Sequence, residues 1–433
     1  MVSATAQARR QGRLVVIGAV TASLVLGVMA GFAPKLALLA LLGLLAVSAL
    51  LFRLEWAALA VVGAAVFEDY LQLVDPRAIK VLAVLLVAAW LLRRTRGALH
   101  GSGPSPVLVC AVAFVVVLLA STAWHPNGLT GFNILLRYAG FLAVLAVLAD
   151  SMRGGLAPAR VARAYVVSCT AAAVCGIVTY FLGVDRRVGG PIEDPNDFAF
   201  FLLAALPLAF ALRSSARRTW VYDLAAGLIL LAMLGTLSRG ALVGLGLMLV
   251  AAFLMGLLRF RVALGFAVLM AVGVLIVLGV FPDLVDTSLS QKDYVAGQNV
   301  SERLHLWQSA SRMTVENPVL GLGPGSFSLV HQNYVDSMPL DINHNLSVAH
   351  NTYLEISSET GFLGVAAFLA ILVTAYAVAR SHWRRTEEPL GAAVCVGLLG
   401  TAAAATFVTE QYFLPLWLLA ALAAGLTPAP ARE

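Results

Sequence analysis

The sequence predicts an all-α polytopic membrane protein: one domain over residues 1–433, about twelve to fourteen transmembrane helices with fourteen the best count, and one long extracytoplasmic loop at 282–360. Three observations predict it. Of the 433 residues, 60% are hydrophobic and 12% charged, with a mean hydropathy of +0.89, far from a soluble globular domain. The apolar residues fall in runs long enough to cross a bilayer. The basic residues gather on alternate short connections.

The runs lie at 13–32, 35–52, 54–67, 79–92, 104–124, 131–149, 163–183, 197–212, 220–237, 240–258, 262–281, 361–380, 389–409 and 413–426. The first is long for the core of a signal peptide and no A-x-A site follows, so it reads as a retained helix. With the N-terminal ARRQGR inside, LLRRTRG at 91–97, SMRGGLAPARVAR at 151–163, RSSARR at 213–218, RFR at 259–261 and RSHWRR at 380–385 fall on that same side. Both termini are then cytoplasmic. The net charge of +6 reflects these scattered turns, so no nucleic-acid partner is expected. Cys110, Cys169, Cys175 and Cys395 sit inside apolar runs without C-x-x-C spacing and read as small buried hydrophobes.

Extracytoplasmic chemistry is expected in the long loop and its neighbours. SERLHLWQSASRMTVENP at 301–318 predicts an amphipathic helix, with Ser301 as N-cap and Leu306, Trp307, Ala310 and Met313 at helical spacing. GLGPGS at 321–326 lacks the G-K-[ST] of a phosphate loop and reads as a turn. In SVAHNTYLEISSETGFLG at 347–364, Ser347 is the expected N-cap of a helix running to about Ser358 and stopping at Gly361. His350 would stand in its first turn, where the helix dipole favours the neutral imidazole that a general base requires.

Two further polar features fall on the same side. GVDRRVGGPIEDPNDFAF at 183–200 places Arg186 and Arg187 beside a Gly-Gly turn, with Asn196 the expected cap of the next span. GTLSRGAL at 235–242 leaves Arg239 at the edge of the apolar layer, which is costly without an anionic partner or snorkelling. The outer loop FEDYLQLVDPRAIK at 67–80 is a candidate acceptor entrance. His331, Asp341 and His344 fit no usual ligand spacing, so neither metal nor cofactor is expected.

HNTYLEISSETGFLG matches the H-[NSQ]-x9-G-x-x-G signature of bacterial O-antigen ligases through His350, Asn351, Gly361 and Gly364. ENPVLGLGPGSF, the Arg-to-Trp spacing of RLHLW, LSRGALVGL and the GG…DPN loop extend the likeness, so that residues 183–380 resemble the O-antigen ligase and polymerase superfamily. The resemblance implies a type-C glycosyltransferase bundle in the bacterial inner (plasma) membrane. Its activity would be metal-independent, inverting transfer from an undecaprenyl (polyprenyl) diphosphate-linked glycan on the extracytoplasmic face. Arg239 and Arg303 would bind the diphosphate and His350 would be the base. Arg186, Arg187, Asn196, Asn351, Tyr353 and Glu355 are the candidate substrate-binding residues. The partners implied are that donor, a glycan, lipid or protein acceptor, and membrane lipid. The alternatives are a repeat-unit polymerase with the same residues and, in a different class, a polysaccharide transporter or flippase. Transport would require ionisable groups near the midplane, where Arg137 is the main case.

Overall fold

A computed structural model describes residues 32–95, 105–184, 187–257, 303–334 and 348–426, and within them every regular element is helical. The expected span at 262–281 lies outside the described residues, as do all but the last residue of 13–32, together with Arg186, Ser301, Asp341, His344 and Ser347.

The helices are α1 (Pro34–Phe52), α2 (Leu54–Ala64), α3 (Glu68–Val74), α4 (Ala78–Thr95), α5 (Pro106–Trp124), α6 (Gly128–Arg153), α7 (Pro158–Phe181), α8 (Pro195–Ser214), α9 (Thr219–Gly235), α10 (Arg239–Leu254), α11 (303–316), α12 (Ser326–Val330), α13 (Thr352–Thr386), α14 (Pro389–Ala404) and α15 (Leu414–Gly425). Proline opens α5, α7, α8 and α14, where its missing N–H costs nothing and its fixed φ suits a first turn. Among the described residues, six stretches are long and apolar enough to cross a membrane: Leu54–Val74, Pro106–Trp124, Gly128–Arg153, Pro158–Phe181, Pro195–Ser214 and Thr352–Thr386. Shorter apolar helices, α9, α10, α14 and α15 among them, complete the bundle.

The core of the bundle is aromatic. Phe114 of α5, Tyr138 of α6, Phe368 of α13 and Trp417 of α15 are all fully buried, and Phe114 lies within ring contact of the other three. Such rings fill the space between helices and fix their rotation. α13 lies along α5, while α14 is sandwiched against α8 and α10.

α13 begins nine residues earlier than the expected span at 361–380 and continues through the position where it was expected to stop. Gly361 takes φ 68 and ψ −172 inside it, so the helix breaks there and resumes. The break takes away the helical N–H donors to the carbonyls of Ser358 and Glu359, and N–H groups of the glycine-rich segment replace them. The N–H groups of Leu322 and Gly323 donate to the carbonyls of Ser358 (3.1 Å) and Glu359 (2.8 Å), while Phe362 N–H turns to the carbonyl of Pro318 (2.7 Å). Ser121 adds donations to the Leu320 and Glu359 carbonyls, and Asn127 holds the Leu322 and Pro324 carbonyls. The segment expected as a turn is thus a brace between the α5–α6 connection and the break in α13.

Helix α11 carries the expected apolar stripe. Leu306, Ala310 and Met313 form a small separate core with Phe327 and Ala349. This outer layer sets the approach to the site.

Candidate functional site

The site is assembled at one end of the bundle from five short segments and the start of α11. The first is the His350 turn. Asn351, and not Ser347, caps α13: its Oδ1 accepts from the N–H groups of Tyr353 and Leu354, both at 3.1 Å. His350 therefore precedes the helix instead of occupying its first turn, with a left-handed φ of 48. The residues around it are held tightly. Glu355 Oε2 accepts from Ala349 N–H at 2.7 Å, and Trp307 Nε1 donates to the Ala349 carbonyl at 3.1 Å. On the other side, Thr352 N–H donates to the Ala405 and Val408 carbonyls.

The second segment is residues 405–413, a buried loop between α14 and α15 that the hydropathy reading compressed to a few connecting residues. It touches nearly every other part of the site. Thr409 Oγ1 and Gln411 Nε2 donate to Glu355, at 3.0 and 2.9 Å. Glu410 N–H donates to Thr352 Oγ1, and Tyr412 Oη to Glu359. The carbonyl of Phe407 accepts from Arg303 Nη1 at 3.0 Å, which fixes that guanidinium at the start of α11. The polar run Thr409-Glu410-Gln411 between two apolar stretches was the sequence signal that could have revealed this loop.

The remaining three segments bring arginines and carboxylates. Arg187 Nε donates to the Thr236 carbonyl at 2.6 Å, which ties the Gly-Gly loop to the end of α9. Arg239 is the first residue of α10, capped by Ser238, and its side chain is exposed with no ion-pair or hydrogen-bond partner among the described residues. Gly240 behind it lets the α10 backbone abut Phe407. At the start of α8 the capping residue is Asp194, and not Asn196: Asp194 Oδ1 accepts from both the N–H and Nδ2 of Asn196, at 2.7 and 2.9 Å.

These groups share one electrostatic environment. Arg303 interacts with Arg239, Asp194 and Asp197; Arg187 with Asp194 and Arg303; His350 with Arg303 and Asp194. Burial, and next the Arg303 charge, push His350 below its ordinary value of 6.5, with Asp194 opposing. Burial likewise lowers the two arginines, which nevertheless stay charged at neutral pH. The arrangement sets an imidazole held below its ordinary pKa beside the Arg303 guanidinium, with Arg187 and the unpaired Arg239 neighbouring Arg303.

The structure thus brings together Arg187, Arg239, Arg303 and His350. The other candidates have inward duties. Asn351 is a cap, Tyr353 Oη donates to the Ala402 carbonyl at 2.7 Å, and Glu355 is buried with both oxygens occupied. Asn196 is bonded to Asp194. Asp194, Asp197, Glu410 and Arg137 are the site-end residues that the motif reading did not include.

Fold and site together define a membrane protein, helical throughout its described residues, with a histidine and a cluster of arginines at one end of its helix bundle. Residues 224–369 match the family model described as O-antigen ligase, so this third of the chain is similar to that family. That match includes Arg239, Arg303 and His350 and ends before the 405–413 loop. A comparison with curated proteins returned no match.

Proposed function

We propose that this protein is a membrane glycosyltransferase that transfers a glycan from a polyprenyl diphosphate to an acceptor hydroxyl at the extracytoplasmic face of the bacterial inner membrane. The observation that carries the reading is the cluster that Arg187 and Arg239, from separate segments, form with Arg303, which in turn neighbours His350. A diphosphate leaving group develops negative charge as the glycosidic C–O bond breaks. Guanidinium groups held in place before the reaction stabilise that charge without reorganisation. His350 takes the acceptor's proton as its oxygen bonds to the anomeric carbon, and the electron pair of the broken bond leaves on the diphosphate. Attack opposite the leaving group inverts the anomeric centre, and the arginine charges serve the role that a metal serves elsewhere. Glu355 and the 405–413 loop position His350 from behind rather than touching substrate.

Reconstitution with a polyprenyl-diphosphate oligosaccharide tests this reading. His350→Ala should lower transfer by about 10²- to 10⁴-fold with donor binding retained. Arg239→Lys, which keeps the charge but loses the planar fork, should cost about 10²-fold in kcat. Unchanged turnover in His350→Ala would end the base assignment. A ladder of products from donor alone identifies a polymerase, and a single step that needs a second acceptor identifies a ligase.

A further inference from the structure

Away from the arginines, the outer layer holds a cavity that the reaction leaves unused. Its volume is about 540 Å³, and among the described residues it is lined by Arg312, Glu316, Leu322, Val330, Asn333 and Tyr334. That size falls within the roughly 300–1,000 Å³ of small-ligand sites. Its walls are pinned together: Arg312 Nη1 donates to the Tyr334 carbonyl at 3.3 Å, and Ser309 Oγ donates to the carbonyl of His331. The His331 ring stacks on Phe327 with centroids 5.0 Å apart. Leu322, Val330 and Tyr334 pack against the small core of Leu306, Ala310 and Met313, so the shape of the cavity is set by packing and needs no ligand to form.

The lining indicates what this cavity takes. Arg312 and Glu316 stand one helical turn apart on α11, so their charges offset and neither a phosphate nor a cation meets a field of one sign. Leu322 and Val330 are the aliphatic part, too small a surface for a lipid tail. The rest is a mixed set of donors and acceptors: the guanidinium of Arg312, the carboxylate of Glu316, the amide of Asn333 and the hydroxyl of Tyr334. A sugar ring matches such a set, because each of its hydroxyls both donates and accepts, and Tyr334 adds a ring with an apolar face and a polar edge. Helix α11 ties the cavity to the centre: Arg303 opens it, and Arg312, nine residues on at 1.5 Å each, lies about 14 Å further along. Leu322 also donates its N–H to the Ser358 carbonyl in the brace of α13. A glycan of several rings, with its reacting end at His350, spans that distance.

We propose that this cavity is a saccharide subsite, in which Glu316 and Asn333 bond the hydroxyls of a neutral sugar ring remote from the bond being made. The ring belongs to the donor glycan or to the acceptor, two sources of one chemistry that the experiment separates. The proposal rests on the glycosyl-transfer reading above, and its binding arm requires no turnover.

Full-length protein in nanodiscs is first titrated with methyl glycosides of glucose, galactose and rhamnose by saturation-transfer NMR. Glu316→Ala and Asn333→Ala alter exposed side chains and so preserve folding. Each should weaken the glycosides about tenfold, the loss of one hydrogen bond to a ring hydroxyl. His350→Ala should retain the signals, which places them away from the catalytic centre. In turnover with a polyprenyl-diphosphate tetrasaccharide as donor, the same two substitutions should raise the donor KM about tenfold at unchanged kcat if the ring is the donor's. If it is the acceptor's, the acceptor KM rises and that of the donor stays. Glycoside signals that are absent from the unmodified protein, or unchanged in both Glu316→Ala and Asn333→Ala, overturn the proposal. Signals lost in those variants, from an unmodified protein that transfers no glycan from any polyprenyl diphosphate, uphold the saccharide subsite and overturn the donor reading instead.

Discussion

Leu237, His350 and Glu387 are the described residues other than glycine with positive φ, and two of these three flank the site: Leu237 two residues before Arg239, and His350 itself. A left-handed residue with a side chain costs about 1–2 kcal/mol, so it persists only where its surroundings impose it. Around His350 they do so through Glu355, Trp307 and the carbonyls that hold Thr352. The imidazole is consequently aimed by backbone bonds on both sides and kept below its ordinary 6.5 by burial and Arg303. Because a lowered pKa leaves the base form populated to more acid pH, kcat/KM should stay level through neutrality and fall only below 6.5. Arg303→Gln removes the neighbouring cation and should move that acid limb upward, whatever it does to the absolute rate. A limb already above 6.5 in the unmodified enzyme, or one unmoved by Arg303→Gln, contradicts this electrostatic account.

Among the elements, α13 and the glycine-rich brace depend on each other. A Cβ on Gly321 would collide with the backbone of Glu359 and Thr360, and one on Gly361 with the carbonyl of Val319. Both positions also have positive φ, at 64 and 68. Gly321→Ala or Gly361→Ala should each destabilise by more than the roughly 1–2 kcal/mol of backbone strain alone, and should lower the detergent melting temperature. The same changes should also reduce turnover, since the break they disturb lies two turns from Glu355. By contrast Gly246→Ala, where a Cβ meets open space, should leave the melting temperature close to that of the unmodified protein. A Gly361→Ala protein as stable as the unmodified one would mean that the brace does not support α13. The motif spacing made these glycines conspicuous in the sequence. Their partners were not legible, because residues 318–325 meet 358–362 only through chain folding.

Over the whole molecule, charge is divided between two ends. Arg93, Arg94, Arg153, Arg160, Arg163, Arg213, Arg217, Arg218, Arg384 and Arg385 lie at the helix ends remote from His350, where Arg160 pairs with Glu55 at 2.6 Å and Arg213 with Asp223. α13 alone, with 35 residues, extends about 50 Å at 1.5 Å per residue, more than the ~30 Å of a hydrocarbon core. By the positive-inside rule we propose that the site end lies outside the cytoplasm. In a background with all four cysteines replaced, Val184→Cys should react with an impermeant maleimide in spheroplasts and Thr386→Cys should not. The opposite labelling would reverse the orientation.

Hydropathy by itself determined the membrane class and most helix positions, because helices in lipid must satisfy their own backbone and therefore announce themselves as apolar runs. Motif spacing likewise singled out His350, Arg239 and Arg303, and local turn chemistry marked their neighbourhoods. Only the tertiary structure decided that Asn351 and Asp194 are the caps, that Glu355 faces inward, and that residues 405–413 join Arg303, Thr352 and Asp197. These are contacts between segments up to about two hundred residues apart, and what a polar side chain does depends on which partner reaches it first. An apolar run needs no partner to be recognised, whereas a buried carboxylate is defined by one.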